Sequence, residues 1–135
     1  MVSGKRKTIP HLIYLNGFTL IELVIVLAIV GLLLTIAAPR YFHSVDRSKE
    51  TVLKSNLAMT RDALDKFYGD NGKYPDQLDM LVTKKYLRSL PLDPITESSA
   101  TWTIVAPDVP EKGGVLDIHS GAEGNAADGT KYSEW

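Results

Sequence analysis

The chain has 135 residues, 44% of them hydrophobic, with 15 Lys and Arg against 16 Asp and Glu and no cysteine. That length allows one small domain plus an anchor, and the missing cysteine excludes disulfides, Cys-based zinc sites, iron–sulfur clusters and Cys nucleophiles. Three of the basic residues, Lys5, Arg6 and Lys7, lie in the first 17 positions, leaving 12 basic against 16 acidic ones, a net of −4 without a basic stripe, which argues against nucleic-acid binding.

Residues 1–17 hold those three cations and no acid. Phe18 to Ala38 follows as an apolar block, and from Ile21 onward its only charge is Glu22, its only hydroxyl Thr35 and its only glycine Gly31. A helix of this length covers roughly 32 Å, close to the hydrocarbon core of about 30 Å. The basic start favours a cytoplasmic N-terminus, moderately, because Arg40, Arg47 and Lys49 on the far side are mixed with Asp46 and Glu50. A secretory signal peptide is one reading, but the block is long for one and Pro39 directly follows the small pair Ala37-Ala38, a poor cleavage site. A plain single-span anchor is another. Neither accounts for Glu22, since a charged side chain at the centre of a span costs about 2.5–3.5 kcal/mol and less near the interface. Glu22 either snorkels to the headgroups or has a partner.

Gly17-Phe18-Thr19-Leu20-Ile21-Glu22, at the mouth of a span and after a basic leader, resembles the class III signal sequence of type IV pilins and of type II secretion pseudopilins. The resemblance implies a leader of residues 1–17 and cleavage between Gly17 and Phe18 by a membrane-embedded prepilin peptidase, which also N-methylates Phe18. It implies a membrane and filament-core helix over residues 18–39. Glu22 would pair with the Phe18 amine of a neighbouring subunit, removing two charges from lipid together and setting the axial stagger. Pro39 would mark where the helix loosens in the filament core; the bland alternative is a terminator at the membrane exit.

Beyond Arg40 the charge density rises. Leu53, Leu57, Leu64, Phe67 and Tyr68 share one face of a 3.6-residue helix, with Lys49, Glu50, Lys54, Arg61 and Asp62 mostly elsewhere. The pattern predicts one helix from about Thr19 to Tyr68, apolar all round at first and then amphipathic, stopped by Gly69-Asp70-Asn71-Gly72. Asp76 is placed to cap a short helix over Gln77 to Lys84, with Leu78, Leu81 and Val82 inward. Tyr86 to Pro94 reads as extended because of Pro91 and Pro94. Thr101 to Val105 and Val115 to His119 read as strands of a hairpin or of a three-stranded sheet, joined by Pro107 to Gly114. Ser120 to Trp135 reads as a glycine-containing loop whose Tyr132 and Trp135 pin the tail to the sheet.

Asp70-Asn71-Gly72-Lys73-Tyr74-Pro75, then Tyr86-Leu87, Leu90-Pro91 and Asp93-Pro94, then Leu116 to Gly124 and the terminal Trp135 resemble the major pseudopilin family of type II secretion systems. That resemblance implies an α+β, type IV pilin-like fold with a globular domain over residues 40–135. It implies anchoring in the inner membrane with a cytoplasmic N-terminus and a periplasmic domain, and assembly into a helical homo-oligomeric filament in the periplasm that drives export across the outer membrane. The implied partners are minor pseudopilins, the inner-membrane platform, prepilin peptidase and membrane lipid. In the family the C-terminal loop binds Ca²⁺ through oxygen ligands, and by motif Glu123 and Asp128 would be those residues here. Two departures stand beside that transfer: Glu123 replaces Asp, and the loop is shorter and less acidic. The alternative is a glycine loop held by Tyr132 and Trp135.

An enzymatic site is not expected. His11, His43 and His119 are scattered, and no nucleophile or phosphate-loop motif accompanies Asp117 and His119 on their strand. Competing readings are a type IV pilus or competence pilin, and a membrane-anchored periplasmic domain that never polymerises.

Overall fold

The computed structural model describes Met1, Gly4, Lys5 and residues 16–135. Arg6, Lys7, His11 and most of the expected leader lie outside the described residues. The chain forms two compact units, Met1–Pro39 and Arg40–Trp135. Helix α1, Leu20–Asn71, contributes to both.

In the first unit every described residue is exposed, and the apolar stretch of α1 is long and apolar enough to cross a membrane. Such a surface is stable only with its backbone bonds satisfied internally and lipid or another apolar surface around it. The Thr35 hydroxyl donates to the Leu32 carbonyl at 2.6 Å, which satisfies the one hydroxyl of the block beyond Ile21.

The helix does not end at Pro39 but continues through it to Asn71, as the apolar pattern beyond it leads one to expect. Its C-terminus is set by Gly72, at φ 69°, whose N–H returns to the Tyr68 carbonyl at 2.8 Å. Glycine takes that left-handed conformation without a Cβ penalty.

In the second unit α1 buries Leu53, Leu57, Thr60, Ala63, Leu64 and Phe67. The expected face is thus present, extended by the small residues Thr60 and Ala63, while Tyr68 at its rim is 36% exposed. The core is completed by Leu81, Leu87, Trp102, Val115, Ile118, Ala122, Ala126 and Tyr132. Each fully buried Leu or Ile adds roughly 1.5–3 kcal/mol.

Strands β1 (Thr103–Val105) and β2 (Asp117–His119) pair antiparallel with Ile104 opposite Ile118. The sheet has two strands among the described residues, so the three-stranded alternative is not realised. Gly121 passes so close to β1's approach that an added Cβ would lie 1.8 Å from the Thr101 carbonyl oxygen. The result is an α+β, type IV pilin-like fold in which the amphipathic half of a long helix packs on a small sheet.

Two local expectations are corrected. The short helix α2 spans only Met80–Thr83, and neither Asp76 nor the N-cap residue Asp79 caps it through a side chain. Residues before it form successive i→i+3 bonds, Met80 N–H to Gln77 and Leu81 N–H to Leu78, so the chain is wound too tightly there for α-helix. The segment from Tyr86 bends instead of extending. Lys85, at φ 66°, makes a Schellman end, its own N–H bonding the Val82 carbonyl and the Tyr86 N–H the Leu81 carbonyl, and the Leu87 N–H also reaches Leu81 as Leu87 is buried.

Candidate functional site

At the N-terminal end, Gly17, Phe18 and Thr19 are non-helical and Phe18 is 84% exposed. Thr19 caps α1. Its carbonyl accepts the Leu23 N–H at 3.1 Å and its Oγ1 accepts the Glu22 N–H at 3.2 Å. Glu22 Oε2 in turn accepts the Thr19 N–H at 3.5 Å. This is a reciprocal capping box, with the carboxylate at the positive end of the helix macrodipole. The Gly17–Phe18 bond therefore lies just outside the helix, and Glu22 lies in its first turn. Pro39 sits inside the helix and offers no N–H to the carbonyl one turn earlier.

The second candidate region is the C-terminal loop. Glu123 is exposed and lines a cavity of about 330 Å³ with Asn125 and Lys131, among others; Asp128 is not among its walls. Asp128 Oδ1 accepts from the Thr130 N–H at 2.9 Å and the Thr130 hydroxyl at 2.6 Å, and these bonds hold its carboxyl below the usual carboxylate range. The two residues brought forward by the sequence thus have different surroundings. The helix supplies what the sequence reading missed: Glu50 Oε1 accepts from the Ala127 N–H at 2.8 Å and from the Tyr132 hydroxyl at 3.1 Å. Only a contact spanning about eighty residues reveals it, and no local pattern marks Glu50.

A family model described as the prokaryotic N-terminal methylation motif matches residues 16–38. The type II secretion system core protein G of Pseudomonas aeruginosa is 35% identical over 95 residues, covering 58% of this chain and 67% of that protein. This chain belongs to the core protein G family of type II secretion systems. The core protein G of Aeromonas hydrophila is 27% identical over 137 residues, 89% of this chain and 92% of that one. The type IV major pilin of Myxococcus xanthus is 43% identical over 61 residues, 45% of this chain and 28% of that protein. No solved structure matches.

As a core protein G the chain is a filament-type subunit carrying a prepilin motif and an apolar N-terminal helix that fits inner-membrane anchoring. The family resemblance implies calcium ligands in this loop, and its donors decide whether they fit. Ca²⁺ takes six to eight oxygens. Here an ammonium, Lys131, lines the cavity of Glu123, Asp128 Oδ1 is occupied by Thr130, and no three Asp, Glu, His or Cys side chains gather as a metal group among the described residues. This donor set does not fit a calcium cage.

The buried Asp93 accepts from Ser120 Oγ at 2.5 Å and from the Ile95 N–H at 2.9 Å, tying the Pro94 turn to the end of β2. Asp117 is held by Arg61 of α1, Nε to Oδ1 at 2.7 Å. His119 Nδ1 bonds the Trp135 carbonyl, which can only accept, so that nitrogen carries the proton. These polar groups of the sheet region serve packing and turn geometry. The tail is thus pinned to the sheet through Trp135 and to α1 through Tyr132.

Proposed function

We propose that this chain is the major structural subunit of a type II secretion pseudopilus, a periplasmic filament whose growth pushes folded proteins through an outer-membrane channel. Before assembly the subunit waits in the inner membrane with its N-terminus cytoplasmic and its globular domain periplasmic. Prepilin peptidase cuts between Gly17 and Phe18 and methylates the new Phe18 amine. The apolar half of α1 stays on the mature protein and passes from lipid into the filament core. There Glu22 meets the Phe18 ammonium of a neighbouring subunit, and this contact selects one axial offset. Pro39, which deprives α1 of one backbone bond, is where the helix loosens on packing. Minor pseudopilins and the inner-membrane platform are the heterologous partners, and the chain itself has no catalytic role.

The observation that carries this reading is an exposed, non-helical Gly17–Phe18 bond immediately before a lipid-grade helix with one carboxylate in its first turn. Mass spectrometry of the mature N-terminus tests it. N-methyl-Phe18 is the expected result, and a chain retaining its leader would refute it. The match to a type IV major pilin favours a second reading, a type IV pilus subunit. Deletion separates the two: loss of exoprotein secretion supports the pseudopilus, loss of surface pili the alternative.

A further inference from the structure

We infer that the C-terminal loop is closed onto α1 by the Glu50 carboxylate and that this closure takes the place of a divalent cation. The loop turns N–H and O–H donors toward an anion, the inverse of a calcium site, which turns oxygen lone pairs toward a cation. Glu50 Oε1 receives the Ala127 N–H and the Tyr132 hydroxyl. Both donors face a carboxylate, and the Ala127 bond at 2.8 Å is the shorter against 3.1 Å for the Tyr132 hydroxyl.

The rest of the loop is closed by its own groups. The Ala126 N–H donates to the Thr130 carbonyl at 2.7 Å, and the Gly129 N–H to the Ala126 carbonyl at 3.0 Å. The Trp135 indole N–H donates to Thr130 Oγ1 at 2.7 Å, and that hydroxyl in turn donates a hydrogen bond to Asp128 Oδ1. Lys54, one turn along α1 from Glu50, places its ammonium 4.4 Å from the Trp135 ring centroid. Two consecutive turns of the helix thus hold the loop and the chain end, with Tyr132 and Ala126 buried beneath. A cation in this network would have to displace donors that already have acceptors.

Thermal unfolding and amide exchange of the full chain in detergent micelles test the inference, in about 1 mM CaCl₂ and in excess EGTA. Equal midpoints are expected, whereas a site of about micromolar affinity would raise the midpoint by roughly 10 °C or more. Glu50→Gln keeps the shape and removes the charge. It should lower the midpoint by roughly 4–8 °C and speed exchange of the Ala127 amide about tenfold in either medium. Should Glu50→Gln not fold, Tyr132→Phe removes one of the two donors and should give a smaller change in the same direction. Glu123→Ala should leave the midpoint unchanged. Stabilisation by calcium that Glu123→Ala abolishes, or unaltered Ala127 exchange in the Glu50 and Tyr132 variants, overturns the inference.

Discussion

Thr19 and Glu22 satisfy each other at the start of α1, the Thr19 hydroxyl taking the Glu22 N–H and the Glu22 carboxylate taking the Thr19 N–H. The second bond, at 3.5 Å, is at the outer limit of hydrogen bonding and is easily shared or surrendered. In the proposed function, cleavage before Phe18 would leave the Thr19 N–H in place, so the cap would survive processing. A subunit waiting in lipid would then keep its carboxylate weakly partnered in cis, open to the stronger ammonium partner proposed for it.

Substitutions at position 22 separate capping from charge. Glu22→Gln retains a capping-box side chain but not the charge, and Glu22→Ala loses both. Both should insert and be cleaved normally. Filament yield, measured by shearing and immunoblot, should fall tenfold or more in both, equivalent to about 1.4 kcal/mol. Wild-type yield from Glu22→Gln would show that pairing is not what assembles the filament.

Leu64 is 1% exposed at the centre of the α1 face. Leu64→Ala should cost about 2–5 kcal/mol by leaving a cavity, read as the urea midpoint of the transition of the unit Arg40–Trp135. Val52, at 48% exposed, lies off that face, and Val52→Ala should stay within about 0.5 kcal/mol.

Gly121 has no room for a side chain beside the Thr101 carbonyl. Gly121→Ala should therefore destabilise the fold by roughly 1–3 kcal/mol, since backbone rather than a flexible side chain must move. Circular dichroism melting checks this.

Two loop groups set opposite ends of a pH profile. Asp128 has its carboxyl held below the ordinary value of 3.8, chiefly by the Thr130 hydroxyl, so its contribution is complete above that pH and is lost as pH falls below it. The Tyr132 phenol is raised above 10.0, first by burial and then by its bond to Glu50. Its contribution is complete below pH 10 and is lost as pH rises through the raised value. The thermal midpoint, followed by circular dichroism, should be flat with respect to these two groups between the limits and fall beyond them. Ultraviolet titration should show two tyrosines ionising above the ordinary range, Tyr132 and the Asp70-bonded Tyr86, and Tyr132→Phe should remove one of these two late steps.

The helix was legible because a period of 3.6 and an unbroken apolar run are local properties of the chain. Leu53, Leu57, Leu64 and Phe67 announce their face whatever they pack on, and Gly72 announces the stop. The α2 boundaries were not, because Asp76 has the chemistry of a cap while the turn at Gln77 to Asp79 is wound by its packing. Arg61 read only as a residue mostly off the apolar face, and nothing local announces that it binds Asp117 and the Ile118 carbonyl.

By itself the sequence determined that the chain carries a helix long and apolar enough to cross a membrane, with one carboxylate in its first turn, followed by an amphipathic half that demands a partner surface. Hydrophobicity and charge act residue by residue, so their order along the chain is sufficient. Only the tertiary structure decided how the tail is held, by bringing Glu50 to Ala127 and Tyr132. A carboxylate's role depends on whether donors or cations converge on it, and that is a property of the folded backbone rather than of any stretch of sequence.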